Sequence, residues 1–387
     1  MDFVPLLQSV GLGYIVPFIF VLTIVVFFHE LGHFWVARRC GVWVETFSIG
    51  FGKPLLKWKD KHGTFWQIGW LPLGGYVKFL GDENEVSAPD MEKLGDLEES
   101  VKSQTLFYKP LWQRAAVVSA GPIANFILAI VIFAGLFSIY GKQIARPVVD
   151  QVLSESAAEM AGFQSGDLII SIDGKAIEAF QDVQRLISVN AEQLLKVEVI
   201  RDGQPLDLMA TPSRVVETDR FGNEFNVGRL GVSISATADD VVLKRYGPLE
   251  AISKGVDETY FIVSQTFTML GRIITGRESA AALGGPIKIA QISGQTATLG
   301  LVALIHLTAV LSVSIGLINL FPIPMLDGGH LAFYLYEAVF RRPMSERVQE
   351  VGMRVGLAMV LSLFVFVTFN DLSQLGVFEK IANVFGS

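Results

Sequence analysis

His29-Glu30-Leu31-Gly32-His33 sets two imidazoles four residues apart, with a carboxylate next to the first. On a helix, residues i and i+4 share a face, so both rings can grip one ion. Glu30 lies beside that face, where a carboxylate can serve as general base on water at the metal. The chemistry on offer is metal-assisted hydrolysis. Two His leave zinc short of a third protein ligand. The chain has five His (His29, His33, His62, His306 and His330) and a single cysteine, Cys40, so thiolate clusters and internal disulfides are excluded. The best remaining ligand is Asp327, in the run Asn319-Leu-Phe-Pro-Ile-Pro-Met-Leu-Asp327-Gly-Gly-His330. Plainer readings exist: two buried imidazoles satisfied by neighbouring helices, and an aspartate that caps a helix or turns the chain.

These residues must be positioned by apolar helices. Hydrophobic residues make up 51% of the 387, and only 18% are charged. The apolar residues gather in four runs: Tyr14 to Ala37, Ala115 to Tyr140, Leu299 to Phe321, and Val355 to Phe369 or beyond. About 20 apolar residues span a bilayer as a helix. The expected fold is therefore a polytopic α-helical membrane protein of about four transmembrane helices. His29, Glu30 and His33 fall inside the first run, roughly one to two turns from Arg38 at its end. Ionisable groups at that depth are costly and by default functional. The LDGGH stretch closes the third run; Pro322 and Pro324 break the helix there, and Gly328-Gly329 lets the backbone turn. Asn319 can hydrogen-bond a substrate backbone or knit helices together. His330 can act behind the ligands, at an oxyanion, or simply as an interfacial His.

Arg38, Arg39, Lys53, Lys57, Lys59, Lys61, Lys109 and Arg114 follow the first run and precede the second. Arg341, Arg342, Arg347 and Arg354 lie between the third and fourth. The positive-inside rule makes both loops cytoplasmic and sends residues 141–298 outside, into the periplasm of a bacterium. The opening Met1-Asp2-Phe3 lacks the basic start of a cleavable signal, so the first run is expected to be retained.

The expected organisation is as follows. Residues 1–40 form the first helix, and 41–113 a cytoplasmic loop with a membrane-associated β-hairpin. That loop continues into an acidic linker at 82–99. The second helix is 114–141, and 146–235 is a small β-rich domain. An amphipathic helical region covers 248–298, where Ile252, Val256, Tyr260, Val263, Phe267, Leu270 and Ile274 share a face. The third helix is 299–330 and the fourth 345–378. Within the β-rich domain, Leu168–Ile172 and Leu195–Arg201 read as strands, each followed by an Asp-Gly turn. The hairpin, Val42–Gly52 and Thr64–Phe79, is aromatic and β-branched. Its edge can hold an unwound substrate by strand addition. A net charge of −7 argues against nucleic acid as a partner.

With these residues in hand, the chain closely resembles the site-2 protease family, in its bacterial regulator-of-sigma-E form. The matching features, in order, are HELGH, Leu71–Phe79 (LPLGGYVKF), Gly121-Pro122-Ile123-Ala124-Asn125, a PDZ-like segment and Asn319–His330 (NLFPIPMLDGGH). Gly284-Gly285-Pro286-Ile287 also matches the segment before the third helix. The resemblance implies Zn2+ on His29, His33 and Asp327, with Glu30 as general base. It implies substrate contacts at Asn319, Asn125, Gly74 and Gly75. It also implies cleavage of single-pass membrane proteins, within or near the membrane segment, after another protease has cut them. Anti-sigma factors and remnant signal peptides are the typical substrates, and the setting is the bacterial inner membrane. The PDZ-like domain is expected to filter by size or bind an exposed C-terminus, with Arg229-Leu230-Gly231-Val232 as a carboxylate-binding loop. The best-known relatives carry two such domains, and this chain has room for one.

Two other classes compete. A membrane-anchored PDZ adaptor would bind exposed C-termini without cutting and would tolerate loss of Glu30 or Asp327. A transporter would line an ion path with polar groups, but four segments without an inverted repeat count against it.

Overall fold

The structure is a computed structural model, in which residues 3–82, 98–218, 224–233, 241–276 and 284–374 are described. Most of the acidic linker, residues 83–97, lies outside that set, as do 234–235 and 375–378 at the ends of two expected regions. The chain forms two compact units.

The first unit draws on the described residues of 1–134, 252–263 and 284–373. Its elements are α1 (Phe3–Arg39), β1 (Val44–Lys59), β2 (Phe65–Phe79), α2 (Leu111–Ile139), part of α3 (Pro248–Ile274), α4 (Pro286–Thr298), α5 (Leu301–Asn319), α6 (Asp327–Phe340) and α7 (Glu346–Gln374). Four of them, α1, α2, α5 and α7, contain stretches long and apolar enough to cross a membrane, as fits a polytopic membrane protein. The expected amphipathic helical region holds two helices, α3 and α4. In α3, Ile252, Val256 and Tyr260 stay exposed; a Cβ on Gly255 would press on the Ile130 carbonyl of α2.

The LDGGH stretch departs from expectation. It does not close the third membrane helix. Pro322 and Pro324 end α5 at Asn319, because proline lacks an N–H and restricts the residue before it. The chain then runs irregularly, with Met325 at a φ of 88°, and Asp327 opens a separate helix, α6. Nor do Gly328 and Gly329 make the turn. They sit in the first turn of α6, where a Cβ would strike the carbonyls of Leu320, Phe321 and Ile323. Their smallness lets the helix start directly beneath the segment that delivers it.

The hairpin is also longer than expected, since β1 continues to Lys59. Each strand bends, so that two strands make four rows. Phe47 lies opposite both Val77 and Trp66, and Ile49 opposite both Gly75 and Ile68. Leu56–Lys59 then pairs with Phe65–Ile68. The first half of β1 is thus flanked on both sides by β2. Phe47, fully buried, packs on Phe27, Phe34 and Trp66 with ring centroids 5.9, 5.4 and 4.3 Å away. Leu55, Leu56, Trp70 and Leu73 remain exposed near the bends.

The second unit, drawn from residues 135–251 and 264–276 with Gln374, holds a four-stranded antiparallel sheet. The rows are Lys175–Ala176, Leu168–Ile172, Leu195–Arg201 and Gln204–Ala210. Both Asp-Gly turns form, with positive φ at Asp173, Gly174, Asp202 and Gly203. Phe180–Ser188 is a helix whose Phe180, Val183, Leu186 and Ile187 join a core with Ile169, Ile172, Val197 and Val199. Lys142–Ala145 pairs with Val241–Lys244, so the unit extends beyond 146–235 at both ends.

Asp167, fully buried, ties this core to the strand end. Both its oxygens accept from Arg201, at 2.7 and 2.8 Å, and one also accepts from Gln164 N at 2.8 Å. Burial alone would raise its pKa, but the Arg201 and Gln164 hydrogen bonds outweigh it and hold the carboxyl below its ordinary range. A depressed folded pKa stabilises the fold above the unfolded value of about 3.9, and the contribution disappears as pH falls through the folded value. Asp167→Asn is therefore expected to lower stability by about 2 kcal/mol at neutral pH and to flatten its decline in acid. Hydrogen exchange at the Val197 and Val199 amides in detergent checks both; unchanged protection would remove the pair from the core's support.

Candidate active site

The first helix has two working faces. Phe27, Leu31 and Phe34 recur at helical spacing and pack with Phe47, Val77 and Trp66 of the hairpin. His29 and His33 point the other way, towards α2. Gly32 lies on that side as well, and a Cβ there would press on the Ala120 carbonyl and the Ala124 side chain. Helices normally pack 8–10 Å apart, depending on the side chains between them. Here glycine lets the two backbones close up around the imidazoles.

One stripe of α2 meets both rings. Val117, Gly121 and Asn125 are four residues apart and share a face. The Val117 carbonyl accepts from His33 Nδ1 at 2.9 Å. Asn125 Nδ2 is 3.3 Å from His29 Nδ1. Between them, a Cβ on Gly121 would overlap His33 Nε2 and the His29 ring. Both Nδ1 atoms thus find partners on α2, and Gly121 leaves room for the His33 Nε2 atom beside the same helix.

The two Nε2 atoms converge on Asp327. His29 Nε2 is 3.2 Å from Asp327 Oδ2, His33 Nε2 is 3.5 Å from it, and the two nitrogens are 3.2 Å apart. A tetrahedral zinc with bonds of about 2.0–2.1 Å has ligand–ligand edges of about 3.3 Å. The triangle therefore has the size zinc requires. Asp327 Oδ2 is also buried without a geometrically sound hydrogen bond, although it is close to both rings. A cation at the centre would satisfy it, and the donor set suits zinc. The three residues are the one group of His, Cys, Asp and Glu among the described residues with metal-holding spacing.

Asp327 is fixed from both ends of its helix. At its start, α6 is wedged under the irregular segment 320–326. Further along, Glu337 accepts from Arg114 at 2.5 Å, and the Arg114 guanidinium lies over Tyr334. The preceding helix is set by Ser312, which donates to the Asn125 carbonyl at 2.8 Å, and by Gly316, which lies against Pro122 and Asn125.

Glu30 lies between the ligands and the hairpin, within electrostatic reach of His29, His33 and Asp327. A Cβ on Gly75 would come within 3.0 Å of Glu30 Cγ and 2.9 Å of Val26. The strand thereby runs directly past the carboxylate. Asp60 secures the hairpin to the end of α1, accepting from Arg38, from the backbone of His62 and Thr64, and from Trp66. Burial would raise the Asp60 pKa; the Arg38 hydrogen bond leads the interactions that instead lower it to about 2.

The other candidates scatter. Gly74 has a φ of 139° and packs under the Phe51 ring. Asn319 is the half-buried last residue of α5. His330 is one turn along α6 from Asp327 and meets Phe333. Asn125, expected to contact substrate, is fully buried behind His29. His306 contacts Phe133, and His62 lies 3.5 Å from Arg38. Sequence reasoning quoted Gly121 and gave it no role; its one legible signal was a glycine inside an apolar helix. It also missed Val117, whose contribution is a backbone oxygen.

The Gly121 contact is testable because it opposes helix propensity. Alanine in place of glycine normally favours a helix by up to about 1 kcal/mol. Gly121→Ala is instead expected to cost at least ~10-fold in zinc retention, the scale of displaced ligand support, in a chain that still folds. Metal content after graded chelation decides it; wild-type retention would show that α2 does not press on the rings.

Comparison with known proteins places this geometry. The Peptidase family M50 model matches residues 17–363. A candidate zinc metalloprotease of Agrobacterium fabrum is 50% identical over 363 residues, covering 94% of this chain and 96% of its own length. A similarly named protein of Rhizobium meliloti is 48% identical, covering 94% and 98%. The metalloprotease MmpA of Caulobacter vibrioides is 39% identical over 393 residues, covering 96% and 98%. The chain belongs to peptidase family M50, the site-2 protease family, and is a zinc metalloprotease.

Proposed function

We propose that this metalloprotease cuts single-pass membrane proteins within or near their membrane segment, with His29, His33 and Asp327 as zinc ligands and Glu30 as general base. The observation that carries the reading is the triangle of His29 Nε2, His33 Nε2 and Asp327 Oδ2, with edges of 3.2 to 3.5 Å, set among apolar helices. Bound zinc would act as a Lewis acid and make water a nucleophile near neutral pH. Glu30 takes the proton of the attacking water and delivers it to the leaving amine. Asn319 or His330 donates to the developing oxyanion.

A transmembrane substrate hides its peptide bonds in its own helix. The strand through Gly74 and Gly75 passes Glu30, and strand addition there would hold the unwound segment beside the base. Exposed Leu55, Leu56, Trp70 and Leu73 suit a hairpin in contact with lipid. The basic residues around α1 and α6 support a site near the cytoplasmic side of a bacterial inner membrane. The second unit then lies in the periplasm as a PDZ-like domain, filtering substrates already cut by another protease. Anti-sigma factors and remnant signal peptides are the substrate classes this arrangement suits.

The test is co-expression of a single-pass reporter, stripped of its outer domain, with wild type or Glu30→Gln. Wild type should shorten the reporter. Glu30→Gln should lower cleavage by about 10²–10⁴-fold with zinc content unchanged. Equal cleavage by both would sink the role of Glu30; a reporter bound by both and cut by neither would favour an adaptor.

A further inference from the structure

We infer that Asn125 is a positioning residue that holds His29 in the tautomer able to ligate metal, by presenting its amide oxygen to His29 Nδ1. The inference rests on the ligand reading above and goes beyond it. A neutral imidazole carries one proton, and a nitrogen that ligates zinc must be free of it. His33 has the matter settled by backbone: its Nδ1 donates to the Val117 carbonyl at 2.9 Å, so its Nε2 offers a lone pair towards Asp327. His29 has no such carbonyl. Its Nδ1 faces the side chain of Asn125 at 3.3 Å, and its Nε2 faces Asp327 at 3.2 Å.

Asparagine can serve either tautomer. With Nδ2 towards the ring, the amide donates to Nδ1 and the imidazole proton sits on Nε2, which then donates to His33 Nε2 at 3.2 Å and has no lone pair for a metal. That arrangement is self-consistent without metal; in either orientation the amide atom turned away from the ring stays buried. With the amide turned over, Oδ1 accepts from Nδ1–H and the Nε2 lone pair turns to the ion. The two orientations have nearly the same shape, so the turn needs no repacking. The site is built for a side chain here. Asn125 is completely buried, its own carbonyl accepts from Ser312 at 2.8 Å, and Gly316 makes room for its Cβ.

The experiment measures zinc retention of the full chain in detergent against graded chelator, with the visible spectrum of the cobalt-substituted protein as a second readout. Four chains are compared: wild type, Asn125→Leu, Asn125→Asp and His29→Ala. Leucine keeps the volume and removes the acceptor, so Asn125→Leu should lose about 10–100-fold in zinc retention and weaken the tetrahedral cobalt bands. Aspartate is an acceptor only, and Asn125→Asp should restore both to near wild type. Wild-type retention by Asn125→Leu, or an Asn125→Asp as weak as Asn125→Leu, would overturn the inference. His29→Ala separates the two levels. If it loses zinc while Asn125→Leu keeps it, the ligand reading stands and only the role of Asn125 falls. If His29→Ala keeps zinc, the ligand set itself fails.

Discussion

Everything at the centre of this protein depends on how closely α1 and α2 approach. Two imidazoles project from one helix in a span of five residues, and an apolar helix must pass them without a gap. Ordinary side chains would hold the backbones too far apart for the Val117 carbonyl to reach His33. Gly32 on one helix and Gly121 on the other remove that obstacle. The approach then turns a helical carbonyl and a buried amide into partners for both rings. With the Nδ1 atoms occupied, Nε2 is the nitrogen that each ring presents to Asp327.

That geometry also settles an electrostatic problem. A carboxylate among apolar helices is costly unless something compensates it. Asp327 is placed where two imidazoles and a cation can do so together. The placement is not left to one contact. A wedge of glycines starts its helix, and the Arg114–Glu337 pair holds the helix further along. Arg114 belongs to α2, the same helix that orients the imidazoles. One element therefore helps to set the position of all three proposed ligands.

The outer elements are held by polar groups at long range in sequence. Asp60 binds the hairpin to Arg38, so the strand beside Glu30 is tied to the helix that carries Glu30. Asp371, buried on α7, accepts from the Gly285 and Lys288 backbone N–H groups at 3.0 Å each. It thereby caps α4 with a carboxylate 86 residues away, where an anion is favoured by the helix dipole. A Cβ on Gly285 would collide with that carboxylate. The glycine of the Gly284-Gly285-Pro286 run is thus explained by contact with a distant helix.

By itself the sequence determined what local pattern can determine. The spacing of His29 and His33 put both on one helical face, the apolar runs marked the four long helices, and the Asp-Gly pairs marked two tight turns. Asp327 was legible as a candidate third ligand because an acid in an apolar setting demands a partner, and the structure brings it beside both imidazoles. The tertiary structure alone decided the rest, since each remaining feature is a meeting of segments far apart in the chain. Leu320 to Leu326 and the start of α6 looked like the end of a membrane helix, because apolar composition does not record where a helix stops and another begins. Asn125 was quoted for a substrate contact that the resemblance implies; that it is buried behind His29 could not be read locally, because burial depends on what packs above a residue. Gly121 and Val117 were silent for the same reason: one acts by lacking a side chain and the other through its backbone, and neither property has meaning until a second helix arrives.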